Sequence, residues 1–448
     1  MHPRFPVWAA LGLSFLVVLH AAPAIALTKT TLANGLTVVV ERDPRHTSVG
    51  IALRYNVGKR DDPPGKRGLA HLTEHLMFEP TAHSEGRAFY DMVADLGGEG
   101  LNGLTGFDET VYLVRVPVGS WERMLWLESD RMAYMLGGLD DARLEKSQRI
   151  IKRESAQRVH GGFGPRIRAL FQLLTPRGHP YAQLRREDGN TSPRIFVDDV
   201  DAITKSDVAW FFQRYYGPHN ATLAVVGPMD EAMVIRASEK YFGPIANAVD
   251  GPPSRPAPPL RPPQFEVRGI HTNTSLPGLT LGWLVPREER WPARVVARYL
   301  NGYRGALDRD LILTGKAEKA AARFISSELG SVFAIDIDVD EGSDPRRVVA
   351  PASAVMTKLR RGIPSAVVAG IKQRLRVERL AGSTPLARAT SLAAGQVASG
   401  GLRALAAVEA ADVNRFIQTR LVANRRAALL TDLATSRAAV GRVTRGWR

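Results

Sequence analysis

The stretch Gly68-Leu69-Ala70-His71-Leu72-Thr73-Glu74-His75-Leu76-Met77-Phe78 places two imidazoles and one carboxylate on a single helical stripe. At 3.6 residues per turn, His71, Glu74 and His75 fall within about 100° of arc. Two histidines four apart can chelate one divalent ion, and a carboxylate beside them can take a proton from a water that the ion holds. The order H-x-x-E-H inverts the commoner H-E-x-x-H zinc motif. This spacing predicts the chemistry of a metallopeptidase; the plainer alternative is an ordinary polar helix face.

The chain has 448 residues and no cysteine. Disulfides, thiolate ligands and a cysteine nucleophile are excluded, so any metal must sit on histidine and carboxylate. The formal net charge is +15 at pH 7. Such a balance favours acidic substrates or anionic surfaces, and it equally describes an arginine-heavy surface with no specific partner. There is no nucleic-acid motif and no basic stripe interleaved with aromatics, so no nucleic-acid partner is expected.

Met1-His2-Pro3-Arg4, the apolar run 5–22 and Ala24-Ile25-Ala26 read as a signal peptide cut after Ala26. An uncleaved anchor is the alternative, since the run approaches spanning length. No later stretch has the length and apolarity to span a bilayer. The expectation is a periplasmic or secreted protein with no integral membrane segment after cleavage.

Residues 249–263 contain seven prolines, which rules out a helix or an interior strand and marks a semi-rigid linker. It separates an expected metal-binding αβ domain (27–248) from a second αβ domain without metal (264–448). Apolar, β-branched runs at 36–40, 49–55 and 110–116 predict strands, and helical patterns cover 84–96, 119–136 and 140–158. Strands and helices intermingle on both sides of the linker, which indicates an α+β or α/β organisation. A shift of 205 residues aligns Asp207-Val208 with Asp412-Val413, Phe211 with Phe416 and Gln213 with Gln418, so an internal repeat is expected. The second copy has no H-x-x-E-H.

Two histidines leave a tetrahedral zinc one protein ligand short if a fourth position is to hold water, and that ligand should be a carboxylate. At this point the chain resembles the pitrilysin/insulinase family of inverted-motif zinc metallopeptidases, as a bacterial member related to mitochondrial processing peptidase. The segment from Leu144 to Glu154 is similar to the family's helix ending in the third ligand, which puts that role on Glu154. Many members carry a supporting glutamate seven positions earlier, where this chain has Ser147. The segments beginning Leu101-Asn102-Gly103-Leu104-Thr105, Trp126-Leu127-Glu128-Ser129-Asp130 and Gly178-His179-Pro180-Tyr181 extend the resemblance. His179 itself reads as structural.

The resemblance implies an α+β fold of two homologous αβ domains forming one half of a clamshell, with Zn2+ on His71, His75 and Glu154. It also implies Glu74 as general base, and an extended peptide added as a strand near Asn102. In this family the opposite half often contributes an arginine and a tyrosine. Arg309 fits the first position as a substrate-binding residue, but Lys316 stands at the second. A homodimer or a heterodimer with a second family chain is therefore expected, the heterodimer being the more attractive. The function implied is a secreted zinc endopeptidase or oligopeptidase. The alternatives are a non-catalytic structural or assembly subunit of the same fold and a metal-binding peptide carrier.

Overall fold

The computed structural model describes residues 26–159, 163–176, 179–181, 199–247, 266–270, 276–381, 384–395 and 398–431. Residues 1–25 of the expected signal peptide and the whole proline-rich stretch 249–263 lie outside them. Ala26, expected as the last signal residue, opens the first strand.

Strands β1 (Ala26–Thr31), β2 (Thr37–Arg42), β3 (Ser48–Tyr55), β4 (Glu99–Thr105), β5 (Thr110–Pro117) and β6 (Ala221–Gly227) form one sheet in the order β1-β2-β6-β3-β5-β4. Strands β7 (Glu266–Ile270), β8 (Gly278–Val285), β9 (Lys319–Ile325), β10 (Ser331–Asp338) and β11 (Arg426–Thr431) form a second, ordered β7-β11-β8-β10-β9. Among the described strands only β2–β6 and β7–β11 pair in parallel. Apart from β1, the two sheets share one topology, β4 and β9 being equivalent edges.

Thirteen α-helices accompany the sheets among the described residues. Those before residue 248 are α1 (Leu69–Leu76), α2 (Phe89–Asp95), α3 (Trp121–Tyr134), α4 (Asp141–Val159), α5 (Phe163–Leu174), α6 (Lys205–Tyr215) and α7 (Glu231–Phe242). After it come α8 (Arg290–Leu300), α9 (Val349–Leu359), α10 (Ser365–Ala381), α11 (Pro385–Ala393), α12 (Ala398–Ala407) and α13 (Ala410–Thr419).

The helix expected over 84–96 begins only at Phe89, because Glu85 and Gly86 have φ of 51° and 79°, which no right-handed helix accommodates. The 205-residue shift carries the first residue of α6 onto that of α13, and the first of β6 onto that of β11. The repeated aspartates have a local cause. Asp207 and Asp412 each accept the backbone N–H of the residue capping their helix, Thr204 (2.8 Å) and Glu409 (3.0 Å). Phe211 and Phe416 are the buried anchors of the same two helices.

Each domain lends a helix to the other's sheet. Leu170, Phe171 and Leu174 of α5 pack with Val332, Ala334, Ala427 and Leu429 of the second sheet. Conversely, Ala389, Leu392 and Ala393 of α11 cover Ala52, Val111, Leu113 and Ala224 of the first. The approach is close enough that a Cβ on Gly50 would lie 2.2 Å from the carbonyl carbon of Pro385. Ion pairs pin both exchanges, Arg166 to Asp336 and Arg388 to Glu41. The core of the first domain lies between its sheet and α1, α3, α6 and α7, so α1 is held against a rigid layer.

Candidate metal centre

Helix α1 opens at Gly68, whose φ of 96° suits glycine, and Asp62 caps it by accepting the amides of Gly68 (2.8 Å) and Ala70 (2.7 Å). Burial, the largest influence, pushes the Asp62 carboxyl up to about 7 despite these two donors. Leu69, Leu72 and Leu76 are fully buried and fix the helix's rotation. That rotation turns His71, Glu74 and His75 toward α4 and β4, with one donor atom of each lying within 4.8 Å of the others.

Helix α4 packs on α1 and brings Glu154 to the histidines. Its carboxylate oxygens lie 3.6 Å from His71 Nε2 and 3.5 Å from His75 Nε2. These separations are long for hydrogen bonds. They match the spacing of about 3.4 Å between neighbouring ligands of a tetrahedral ion with bonds of about 2.1 Å. A donor set of two histidines and one carboxylate therefore fits zinc. Glu74 is held differently: the Thr105 hydroxyl donates to its Oε2, and a Cβ on Gly103 would lie 2.6 Å from its Oε1. Lys152–Asp201 (2.5 Å) and the bonds from Gln148 to the carbonyls of Val200 and Ile203 (both 2.9 Å) tether α4.

Asn102 lies on the edge strand β4, but neighbouring Gly103 and Thr105 are the residues that face Glu74. By strand alternation Asn102 occupies the opposite face, its Oδ1 accepting from the Gly103 amide (3.0 Å). Arg309 sits on a π-helical turn (Asp308–Ile312) of the second domain, exposed and 3.4 Å from Asp310; the structure does not bring it to the histidines. Lys316 is exposed nearby. Ser147 is buried on α4 and its hydroxyl has no hydrogen-bond partner among the described residues. His179 is buried and accepts the Tyr181 amide at Nδ1 (3.1 Å), as a structural histidine does.

Sequence reasoning missed Asp62, Gly103, Thr105 and Tyr90. The Tyr90 ring stacks on Phe78 (4.9 Å). Its hydroxyl pKa is raised by burial first, then by the charge of Glu74 and, more weakly, that of Glu154. Alternation along β4 could have pointed to Thr105; nothing local marks Tyr90.

A sequence model described as Insulinase (Peptidase family M16) matches residues 37–159, and one described as Peptidase M16 inactive domain matches 202–375. The chain belongs to this family. The M16 segment 37–159 contains His71, Glu74, His75 and Glu154, whereas the inactive-domain match contains none of them. The zinc protease PqqE of Helicobacter pylori is 27% identical over 295 residues, which are 63% of this chain and 64% of that protein. The beta subunit of the mitochondrial-processing peptidase of Saccharomyces cerevisiae is 25% identical over 219 residues, 48% of this chain and 44% of the subunit. The match thus spans less than two-thirds of either relative. A protease crystal structure from Helicobacter pylori superposes with a TM-score of 0.80 at 22% identity, covering 91% of this chain and all of that one. The periplasmic protease PqqL of Escherichia coli gives 0.72 at 17% identity, with 95% of this M16 chain covering 51% of PqqL. The fold is thus that of one half of a two-halved M16 protease.

Proposed function

We propose that this chain is a zinc-dependent endopeptidase or oligopeptidase subunit that works in the periplasm or outside the cell. The carrying observation is the convergence of Glu154 on both imidazole Nε2 atoms while the Thr105 hydroxyl donates to the Glu74 carboxylate beside them. In this reading His71, His75 and Glu154 hold Zn2+, which when bound lowers the pKa of water and polarises the scissile carbonyl. Glu74 takes the proton of the attacking water and passes it to the leaving amine. Thr105 and the backbone at Gly103 fix the direction in which that carboxylate points.

The outer side of β4 is unpaired among the described residues and offers backbone donors and acceptors to an extended peptide. Asn102 borders that peptide. The position of Lys316 favours a heterodimer with a second M16 chain over a homodimer, and Arg309 serves substrate held against such a partner. Residues 1–26 and the periplasmic fold relative support the location; no helix among the described residues is long and apolar enough to cross a membrane.

Metal analysis and cleavage of a quenched peptide library, for wild type and Glu74→Gln, alone and with candidate M16 partners, test this reading. About one zinc per chain, retained in Glu74→Gln, and cleavage only by wild type are expected. A wild type that holds zinc and cleaves nothing in any combination overturns the peptidase reading in favour of a carrier. Absence of zinc binding leaves an assembly subunit.

A further inference from the structure

The hairpin turns β4–β5 and β9–β10 meet where the two edge strands end, and the amide of Glu328 donates to Asp108 (2.9 Å) across the junction. Between these turns and the start of α8 lies a cavity of about 320 Å3. Arg54 of β3 lines it, together with Arg287, Arg290 and Arg294 at the start of α8.

The cavity's own carboxylates are already matched. Arg54 holds Glu109 (2.5 Å) and reaches Glu328 (3.5 Å), while Arg60 holds Asp108 (2.8 Å) and Glu328 (2.9 Å). Arg287 and Arg290 make no ion pair with any described residue. The guanidinium groups of Arg290 and Arg294 lie 5.8 and 5.3 Å from the centre of the buried Trp291 ring, which orders them. The 11-residue helix α8 has no side-chain cap; Glu288 and Glu289 precede it, but Glu289 is paired with Arg420 (2.7 Å). The partial positive charge of the helix end therefore adds to that of the arginines, against the remaining acidic charge of Glu288.

The cavity continues the line of β4, since Thr105 is followed at once by Gly106 and Phe107 of the cavity wall. A strand rises about 3.3 Å per residue. A peptide on the β4 edge therefore reaches the cavity about two to four residues from the bond beside Glu74.

We propose that this cavity is a substrate subsite for a peptide carboxylate, bound by Arg287 and Arg290 a few residues from the scissile bond. The inference rests on the reading of β4 and Glu74 as a peptidase site. Planar guanidinium groups suit a carboxylate, and a cavity of this size admits one acidic side chain or a chain terminus.

Quenched peptides carrying Glu, Gln or Lys at each of four positions on either side of the cleaved bond test it. At one position Glu should raise kcat/KM about tenfold over Gln, the scale of one charge-assisted hydrogen bond, and Lys should lower it. Arg287→Glu/Arg290→Glu should abolish or invert that ratio. Arg361→Glu/Arg374→Glu, outside the cavity, should keep it, with thermal melts confirming that both double variants fold. Peptides ending at the sensitive position with a free or an amidated terminus separate a side-chain carboxylate from a terminal one.

Anisotropy of labelled peptides on the Glu74→Gln protein reads binding without turnover, and the Glu peptide should bind about tenfold tighter than the Gln peptide. Cleavage with equal rates for Glu and Gln everywhere overturns the subsite and leaves the peptidase reading intact. Selective binding of the Glu peptide by a chain that never cleaves supports the subsite and overturns the peptidase reading.

Discussion

Arg166→Met probes the exchange of helices between the domains. In the wild type the Arg166 guanidinium is fully buried on α5, lies 3.0 Å from Asp336 Oδ1, contacts Asp338, and donates to the Leu276 carbonyl (2.8 Å). Burial, the largest influence, already raises the Asp336 carboxyl above its ordinary range, with the Arg166 charge opposing it. Methionine fills the volume but strands two largely buried carboxylates beside it, and breaking such a buried pair costs about 3–5 kcal/mol. Without its counter-charge Asp336 rises further and takes up a proton, relieving part of the cost. A folded pKa above the unfolded value gives stability that is complete below the unfolded pKa and is lost as pH rises through the folded one. The deficit should therefore be full at pH 8 and smaller, about 1–2 kcal/mol, at pH 5. Urea titrations at both pH values, followed by tryptophan fluorescence, measure it. Adding Asp336→Asn and Asp338→Asn should restore most of the loss, because removing both partners leaves no unpaired charge. A deficit under about 1 kcal/mol at pH 8, or one that the asparagines leave untouched, would refute this account of the anchor.

Thr105→Val removes the hydroxyl that donates to Glu74. A hydrogen bond to a charged group is worth about 1.5–3 kcal/mol, so kcat/KM should fall about 10- to 100-fold with zinc content unchanged; zinc loss would contradict the separate holding of Glu74. Glu154→Gln should lower zinc content in equilibrium dialysis, whereas Glu145→Gln on the same helix should not. Gly50→Ala places a Cβ 2.2 Å from backbone carbon of Pro385 and should cost about 3 kcal/mol by displacing α11, read as a lower melting temperature. Asp62, pushed up to about 7, keeps its proton in the folded protein over a range where the unfolded chain has lost it. Its contribution is complete below about pH 4 and fades as pH rises through about 7. Relative to wild type, Asp62→Asn should thus gain in melting temperature from pH 5 to pH 8; a constant difference would exclude this titration.

The H-x-x-E-H stripe was legible because its residues share one helix, where spacing alone sets geometry. Glu154 was not: it comes from a helix begun 65 residues after α1 ends, and only the family resemblance singled it out from Glu145 on the same helix. Strands β2, β3 and β5 were readable as buried apolar runs; β4, a half-exposed edge with two glycines, carries little such pattern, and only the family resemblance marked its stretch as an edge strand beside the metal. The repeat showed where it has a local cause, at the aspartates that close the caps of α6 and α13. The exchange of α5 and α11 left no sequence signal. Alanines and leucines on a helix announce burial but not which sheet buries them. Asp62 was equally invisible, because its two partners are backbone amides that any sequence supplies.

The duplication places α1 and α8 at equivalent points, each following the strand paired between a central neighbour and the inner side of the edge hairpin. Their electrostatics are opposite. Asp62 closes the N-terminus of α1 by accepting two of its buried amides, and His75 sits in the last turn, where the helix's partial negative charge favours a cation. In α8 no side chain caps the N-terminus, the N-cap residue Glu289 being paired with Arg420, and the arginines at 287, 290 and 294 outnumber the one remaining acid there, Glu288. The same topological slot thus presents its cation-attracting end in one domain and its anion-attracting end in the other. With β4 running from the first toward the second, an extended peptide meets both without a bend. An acidic residue at the α8 end would fix the register of that peptide on the strand, and so decide which bond lies beside Glu74.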